Sequence, residues 1–192
     1  MEKSAGKLKS SLSYLVSANN VYSVLFYLVL FYLLFVYVAI PAVYTFTPVS
    51  YISSVVSSSM DHSSPTIQLT YYDWLSQHGF NSSVTSKWPF QSGIPIGSLA
   101  VAYKTLPSQI KVGDVIIYDA NYLGKNEEII HRVINVTIIN GTYYYTTKGD
   151  ANPASLPFEF GIRYSQIVGK VNTVIPYLGY PRYLLYLLGS II

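Results

Sequence analysis

The chain has 192 residues, of which 51% are hydrophobic and only 11% are charged, and its formal net charge is +3. This length allows one domain of ordinary size together with a membrane anchor. The small net charge argues against a nucleic-acid-binding protein. The lack of cysteine excludes disulfides, thiolate metal sites and a cysteine nucleophile.

The first predicted element is an apolar helix. No charged residue occurs between Lys9 and Asp61, and within that interval Val21–Ile40 is almost continuously apolar and is followed by Pro41. A helix of about 20 apolar residues crosses the hydrocarbon core of a bilayer. The run is too long for the apolar part of a secretory signal peptide. We therefore predict one retained transmembrane anchor at residues 21–43.

The lysines around this helix predict its orientation. Lys3, Lys7 and Lys9 precede the helix, and no Lys or Arg follows it until Lys87. The positive-inside rule then assigns residues 1–20 to the cytoplasm and the residues from about 46 onward to the outer side of a cell membrane. Three N-glycosylation sequons beyond the helix are consistent with that side.

Residues 44–176 predict a mainly β domain, such as a sandwich or a coiled β-barrel-like fold. Short runs rich in Val, Ile, Tyr and Thr alternate with Gly, Pro, Asn and Asp. The predicted strands are Ile52–Val56, Ser98–Tyr103, Asp114–Asp119, Ile129–Ile139, Thr142–Lys148 and Gln166–Ile175.

Two segments depart from this strand pattern. Residues 61–97 contain both tryptophans and predict a long loop or an inserted subdomain over the β domain. Residues 177–192 are apolar, but the ten that follow Arg182 are too few to cross a bilayer as a helix. We predict that this C-terminal segment lies at the membrane interface.

Asn140-Gly141 between two β-rich runs predicts a two-residue hairpin turn. Counting back along both strands from the turn sets His131 directly opposite Asp150, within reach of an imidazole–carboxylate hydrogen bond. Such a bond fixes the tautomer of the imidazole and directs its other nitrogen at a nucleophile. A single bulge would break this pairing, and a cross-strand ion pair without catalysis is the alternative interpretation.

The other histidines lack such a pattern. His62 and His78 fall in the 61–97 segment, where the sequence predicts no partner for His62 and a solvated side chain for His78. A zinc site needs three or four ligands at suitable spacing. We therefore predict neither a metal nor a cofactor.

Four sequence blocks occur in an order and spacing typical of one protein family. They are Val55-Val56-Ser57-Ser58-Ser59-Met60, Gly97-Ser98-Leu99 through Ile110-Lys111-Val112-Gly113-Asp114-Val115-Ile116, Ile130-His131-Arg132-Val133 and Thr147-Lys148-Gly149-Asp150-Ala151-Asn152-Pro153. With these blocks the chain resembles the archaeal and endoplasmic-reticulum branch of the type I signal peptidases. Bacterial relatives have Lys where this chain has His131, so the resemblance implies a Ser-His-Asp arrangement.

The resemblance implies a role for each site residue. Ser59 would be the nucleophile, His131 the general base and Asp150 the acid that orients it. Ser57 and the backbone N–H of Ser59 would stabilise the oxyanion. The family often has a second Asp after the last block, where this chain has none, and Glu159 is the nearest acid that could substitute for it.

The function implied is that of a membrane-anchored serine endopeptidase. Its substrates would be preproteins that bear signal peptides, cut after small residues in an Ala-x-Ala-like pattern. Membrane lipid and, as a further option, translocation machinery or accessory subunits would be its partners. The alternative from another class is a non-catalytic, membrane-anchored β domain that binds envelope or S-layer proteins.

Overall fold

The structure is a computed structural model that describes residues 21–122 and 124–189. The predicted cytoplasmic segment 1–20 and the last residues of the predicted C-terminal segment, 190–192, lie outside the described residues. The chain divides into two units, and the boundary between them falls after Pro48.

The described residues of the first unit form an apolar helix, α1, which spans Val21–Phe46 and reaches three residues beyond the predicted anchor. Its mean hydropathy is 2.5 over its most apolar stretch, and it is long and apolar enough to cross a membrane. The segment Phe35–Ala39 is a π-helical turn in which the N–H of Ile40 bonds to the carbonyl of Phe35. Pro41 follows directly and lacks an N–H, which explains why the regular hydrogen-bond ladder is disturbed here.

The second unit is built on one sheet of seven antiparallel strands, which confirms the prediction of a mainly β chain. The strands are β1 Val49–Ser54, β2 Leu99–Tyr103, β3 Val115–Tyr122, β4 Lys125–Ile139, β5 Thr142–Lys148, β6 Ile162–Arg163 and β7 Ile167–Ile175. Their order across the sheet is β1-β2-β7-β3-β4-β5-β6. Only β6 was not predicted, because two residues carry no periodic signal.

The central strand β3 is buried on both faces. Val115 and Ile117 belong to one apolar cluster, whereas Ile116 and Tyr118 belong to a second. Since successive side chains of a strand point to opposite faces, these two clusters lie on the two sides of the sheet. β3 pairs with β4 along its whole length. This pairing connects both parts of the core to His131 of β4.

The β4–β5 hairpin contains a bulge that the sequence did not predict. The pairing is regular from the Asn140-Gly141 turn, and then shifts by one residue between Val133 and Asn135, so that Ile134 is extra. Beyond the bulge Arg132 pairs with Lys148. A one-residue bulge reassigns every later side chain to a different partner, so the predicted pairing of His131 with Asp150 is wrong.

The 61–97 segment, hereafter the insert, is an ordered subdomain that contains two helices, α2 Pro65–Gln77 and α3 Ser82–Thr85. Helix α2 was not among the elements predicted from the sequence. Ser64 caps α2 by accepting from the N–H of Ile67, and Pro65 opens it. A small apolar cluster holds the insert together: Tyr71, Leu75 and Trp88, with Trp74 and Phe80 against it.

The C-terminal segment forms a short helix, α4, over Tyr180–Gly189. Gly179, just before it, donates its N–H to the carbonyl of Gly97 at 2.8 Å. Leu184, Leu185 and Leu188 are exposed. The predicted contact of this segment with a membrane stays a prediction.

Candidate active site

Ser59 lies in a tight turn that follows β1. The N–H of Asp61 donates to the carbonyl of Ser58 at 2.9 Å, which closes the turn, and the buried side chain of Met60 anchors it in the core. The carbonyl of Met60 accepts from the N–H of Ile94 at 2.7 Å. The turn therefore holds the Ser59 hydroxyl at the surface while its neighbour is fixed in the interior.

His131 approaches Ser59 from β4. Its Nε2 lies 3.0 Å from Ser59 Oγ, and its ring is only 4% exposed. Its Nδ1 hydrogen-bonds Oε1 of Glu159. Because a carboxylate can only accept, the Nδ1 side carries the proton of the neutral ring and Nε2 accepts from Ser59. Ser59, His131 and Glu159 thus form one hydrogen-bonded series.

Glu159 is fully buried, at 0% exposure, in the short 3₁₀ turn Pro157–Glu159. Its Oε2 accepts from the N–H of Leu156 at 2.6 Å, which fixes the carboxylate at the start of this turn. Its Oε1 accepts from the hydroxyl of Thr147 at 3.3 Å. Since Thr147 has a single hydroxyl proton, Tyr118 donates its own O–H to Thr147, at 3.0 Å.

This arrangement orients the imidazole from several sides. The carboxylate is held by a main-chain amide and a hydroxyl, so its position does not depend on the imidazole alone. Burial is the main cause that raises the pKa of Tyr118, which keeps its phenol protonated and able to donate. Thr147 stands in the last of the four blocks without a predicted role and Tyr118 stands in none of them, so the sequence did not indicate either residue as a member of this network.

Asp150 has other partners than the predicted one. Its two carboxylate oxygens accept from Nε and Nη2 of Arg132, at 2.8 and 2.7 Å. The β4–β5 ladder ends at the pair Arg132 and Lys148, and Asp150 lies two residues beyond this end of β5.

The pKa of Asp150 reflects these contacts. Burial alone would raise the pKa of its carboxyl group, but the charge of Arg132, the close contact with His62 and the hydrogen bonds from Arg132 outweigh burial and hold it below its ordinary value. Arg132 also donates to the carbonyls of Pro89 and Gly113. This buried ion pair connects the insert to the hairpin.

Gly149 brings the hairpin close to the Ser59 turn. A Cβ atom at this position would lie 2.8 Å from the carbonyl oxygen of Ser59 and 2.9 Å from Nε2 of His131. The backbone N–H of Ala151, two residues after Gly149, donates to the same Ser59 carbonyl at 2.8 Å. Only glycine allows this approach.

Ser57 lies beside the Ser59 hydroxyl, with 3.2 Å between the two Oγ atoms. Because Ser59 donates to His131, Ser57 is the donor in this contact. The single hydroxyl proton of Ser57 would have to turn from Ser59 Oγ to meet an oxyanion formed by attack of Ser59. Ser58, between them, is exposed.

A cleft of about 360 Å³ leads to Ser59 and His131. One wall is the stretch from Ser53 to Met60, and the other is formed by Glu127 to His131 of β4, with Arg182 and Tyr186 of α4 beside them. β1 is the first strand of the sheet, and β5 pairs with β4 only from Arg132 onward. Both walls therefore present strand edges toward the cleft.

Of the residues predicted from the sequence, the structure brings together Ser57, Ser59, His131 and Glu159. Glu159, named from the sequence as a possible substitute acid, is the one in contact with the imidazole. Asp150 is held elsewhere by Arg132. Such a series can raise the nucleophilicity of a hydroxyl at neutral pH. Comparison with models of known protein families and with curated proteins finds no match for this chain.

Proposed function

We propose that this chain is a membrane-anchored serine endopeptidase that removes signal peptides from preproteins, in the manner of the archaeal and endoplasmic-reticulum signal peptidases. The observation that carries the proposal is the hydrogen-bonded series from Ser59 through His131 to Glu159. A hydroxyl, an imidazole and a buried carboxylate in this order are the components of a serine protease triad. The four sequence blocks supply the substrate class.

In the proposed reaction Ser59 Oγ attacks the scissile carbonyl carbon while Nε2 of His131 takes the hydroxyl proton. The tetrahedral intermediate collapses to an acyl-enzyme, and the imidazolium delivers its proton to the leaving amine. Water then attacks the acyl group, with His131 again as the base, and Ser59 is released with its proton restored. Glu159 stabilises the imidazolium in both steps and fixes the tautomer of the neutral imidazole.

The oxyanion of each intermediate needs donors. The hydroxyl of Ser57, 3.2 Å from Ser59 Oγ, supports its assignment as one donor, and the backbone N–H of Ser59 is the second candidate. One such donor lowers the barrier by about 2.7–4 kcal/mol when it meets charge that develops only in the transition state.

The cleft suits an extended peptide. A substrate strand between the edge at Ser53–Ser57 and the edge at Glu127–Ile130 could form main-chain hydrogen bonds with either side, as in β-strand addition. Such bonds do not depend on substrate side chains, which suits an enzyme that cuts many different precursors. The preference for small residues at the cleavage site comes from the family resemblance.

The apolar helix α1 supports a role in the membrane. It is long enough to span a bilayer, and the lysines before it suggest an N-terminus on the cytoplasmic side and a catalytic domain on the outer side. An anchor holds enzyme and preprotein in the same membrane and so raises their effective concentration. Translocation machinery or accessory subunits would be natural partners.

The alternative of a non-catalytic β domain requires no relation between Ser59 and His131. Their 3.0 Å contact, with a buried carboxylate behind the imidazole, favours the enzyme. The test is cleavage of a signal-bearing precursor by the full chain in lipid nanodiscs. We expect Ser59→Ala and His131→Ala to abolish cleavage and Ser58→Ala to retain it. Cleavage by Ser59→Ala at the wild-type rate would refute the proposal.

A further inference from the structure

His62 is the most unusual buried group outside the Ser59–His131–Glu159 series. It follows Ser59 by three residues, opens the insert and is fully buried, with 0% exposure. Its ring stacks on the ring of Tyr71 in α2, with 4.2 Å between the centroids and 20° between the planes. The sequence predicted no partner for this histidine, which contacts Tyr71 and Gln91 of the insert and Asp150 beyond β5.

Both ring nitrogens of His62 face hydrogen-bond acceptors. Nε2 lies 2.9 Å from the carbonyl oxygen of Gln91, and Nδ1 lies 3.3 Å from Oδ2 of Asp150. A neutral imidazole has one N–H, so both contacts are favourable only when both nitrogens carry a proton. The Nδ1 contact has ion-pair distance but lacks hydrogen-bond alignment. His62 thus lies against the Asp150 carboxylate beside Arg132, at ion-pair distance.

Asp150 links His62 to the backbone of Ser59. The amide of Ala151, the next residue, donates to the carbonyl of Ser59 at 2.8 Å. From the other side, the amide of Ile94 in the insert donates to the carbonyl of Met60 at 2.7 Å. The Ser59 turn is therefore held between the hairpin and the insert.

His62 contacts both of these supports. It touches the hairpin through Asp150 and the insert through Gln91 and Tyr71. The close approach of Gly93 tightens the arrangement, because a Cβ there would lie 2.6 Å from the backbone nitrogen of His62 and from the carbonyl oxygen of Met60. Any shift of His62 would move both supports of the nucleophile turn.

We propose that His62 is a positioning residue for Ser59, which acts by joining the insert to the Asp150 turn, and that the insert is therefore a working part of the active site. This inference rests on the proposed function. His62 touches neither the hydroxyl of Ser59 nor the cleft, so its effect passes through Asp150 and Ala151 to the Ser59 carbonyl. A displacement of about 1 Å at a nucleophile can cost about 100-fold in rate.

The test compares His62→Phe with the matched control His78→Phe. Phenylalanine keeps a ring against Tyr71 but removes both nitrogen contacts. His78 lies in the same insert and also stacks on an aromatic ring, that of Trp74 at 3.9 Å, but it is exposed. We expect His62→Phe to lower kcat for a precursor peptide by about 10- to 100-fold with KM unchanged, and His78→Phe to match wild type.

Hydrogen–deuterium exchange gives a readout that does not depend on activity. In the full chain in nanodiscs, the peptide that contains Ala151 should exchange at least several-fold faster in His62→Phe than in wild type, because its amide loses a fixed acceptor. His62→Gln retains an amide donor on one side of the ring position. Its exchange rate at the Ala151 peptide should therefore lie between those of wild type and His62→Phe. His62→Gln also serves as the deciding variant if His62→Phe does not fold.

The outcomes separate the two proposals. Wild-type kcat, or wild-type exchange at Ala151, in either folded His62 variant overturns the positioning role while leaving the peptidase intact. A change in KM for the precursor peptide with kcat unchanged also overturns the positioning role. Undiminished cleavage by Ser59→Ala overturns the peptidase and with it the positioning role.

Discussion

Ser59 Oγ lies 3.0 Å from Nε2 of His131, although the two residues are 72 positions apart in the chain. The turn after β1 and the strand β4 bring them together from opposite walls of one cleft. Behind the imidazole, the acid in contact is Glu159, which comes from a separate 3₁₀ turn. The choice of acid leads to the first prediction.

Glu159→Gln and Asp150→Asn should have different effects. We expect Glu159→Gln to lower kcat by about 10⁴, because an amide in this place favours the wrong imidazole tautomer. Asp150→Asn leaves Arg132 as a buried unpaired charge and should destabilise the fold by about 3–5 kcal/mol, with a smaller effect on kcat. Precursor cleavage and thermal unfolding of both variants measure this. A reversed order of effects would return the catalytic role to Asp150.

Ser57→Ala should impair turnover more than binding. Loss of an oxyanion donor is expected to lower kcat by about 10²–10³ without a comparable change in KM, because the contact forms only in the transition state. Ser58→Ala is the matched control, since Ser58 is the exposed neighbour between Ser57 and Ser59. Equal kcat values for the two variants would exclude Ser57 from the oxyanion site.

Gly149→Ala should abolish the proposed precursor cleavage through a steric effect. The added Cβ would lie 2.8 Å from the Ser59 carbonyl oxygen and 2.9 Å from Nε2 of His131, and it must push the hairpin and the nucleophile turn apart. Gly189→Ala in α4 is the control, because a Cβ there meets no atom within 4 Å among the described residues. The measurement is precursor cleavage alongside thermal unfolding, and full activity of Gly149→Ala would contradict the close approach.

The buried amine of Lys148 should make the stability of the protein depend on pH. Burial lowers its pKa from 10.5 to about 8, and its Nζ lies 4.6 Å from the ring centroid of Trp74. Between these two pH values the unfolded chain binds more protons than the folded one, so stability rises with pH through this window. The full gain corresponds to roughly 3 kcal/mol.

The variant Lys148→Met should lack this gain. The unfolding free energy of wild type minus that of Lys148→Met should increase with pH between pH 8 and 10.5. This difference should stay constant from pH 6 to 7.5. Denaturant unfolding followed by tryptophan fluorescence in detergent micelles measures the difference at each pH. The exposed Lys104→Met serves as the control, and parallel curves for all three proteins would contradict the prediction.

Local features were predictable from the sequence. Apolar length alone indicated α1, and β5 begins and ends at the predicted residues. The turn at Asn140-Gly141 forms where it was predicted, with Asn140 at a φ of 49° and Gly141 at 77°. Helix α2 was missed, although Ser64 and Pro65 give a good helix start, because its apolar positions are interspersed with Thr, Tyr and Gln.

By itself, then, the sequence determined the apolar helix, most strands and the residue types around Ser59, because hydropathy, periodicity and turn chemistry depend on near neighbours. Only the tertiary structure decided which acid meets His131. The bulge at Ile134 shifts the register by one residue, and Asp150 bonds Arg132, while Glu159 reaches the imidazole from its own turn. The burial of His62 against Tyr71 and Asp150 was decided in the same way. Such contacts depend on the packing of segments far apart in the chain, for which no local pattern carries a signal.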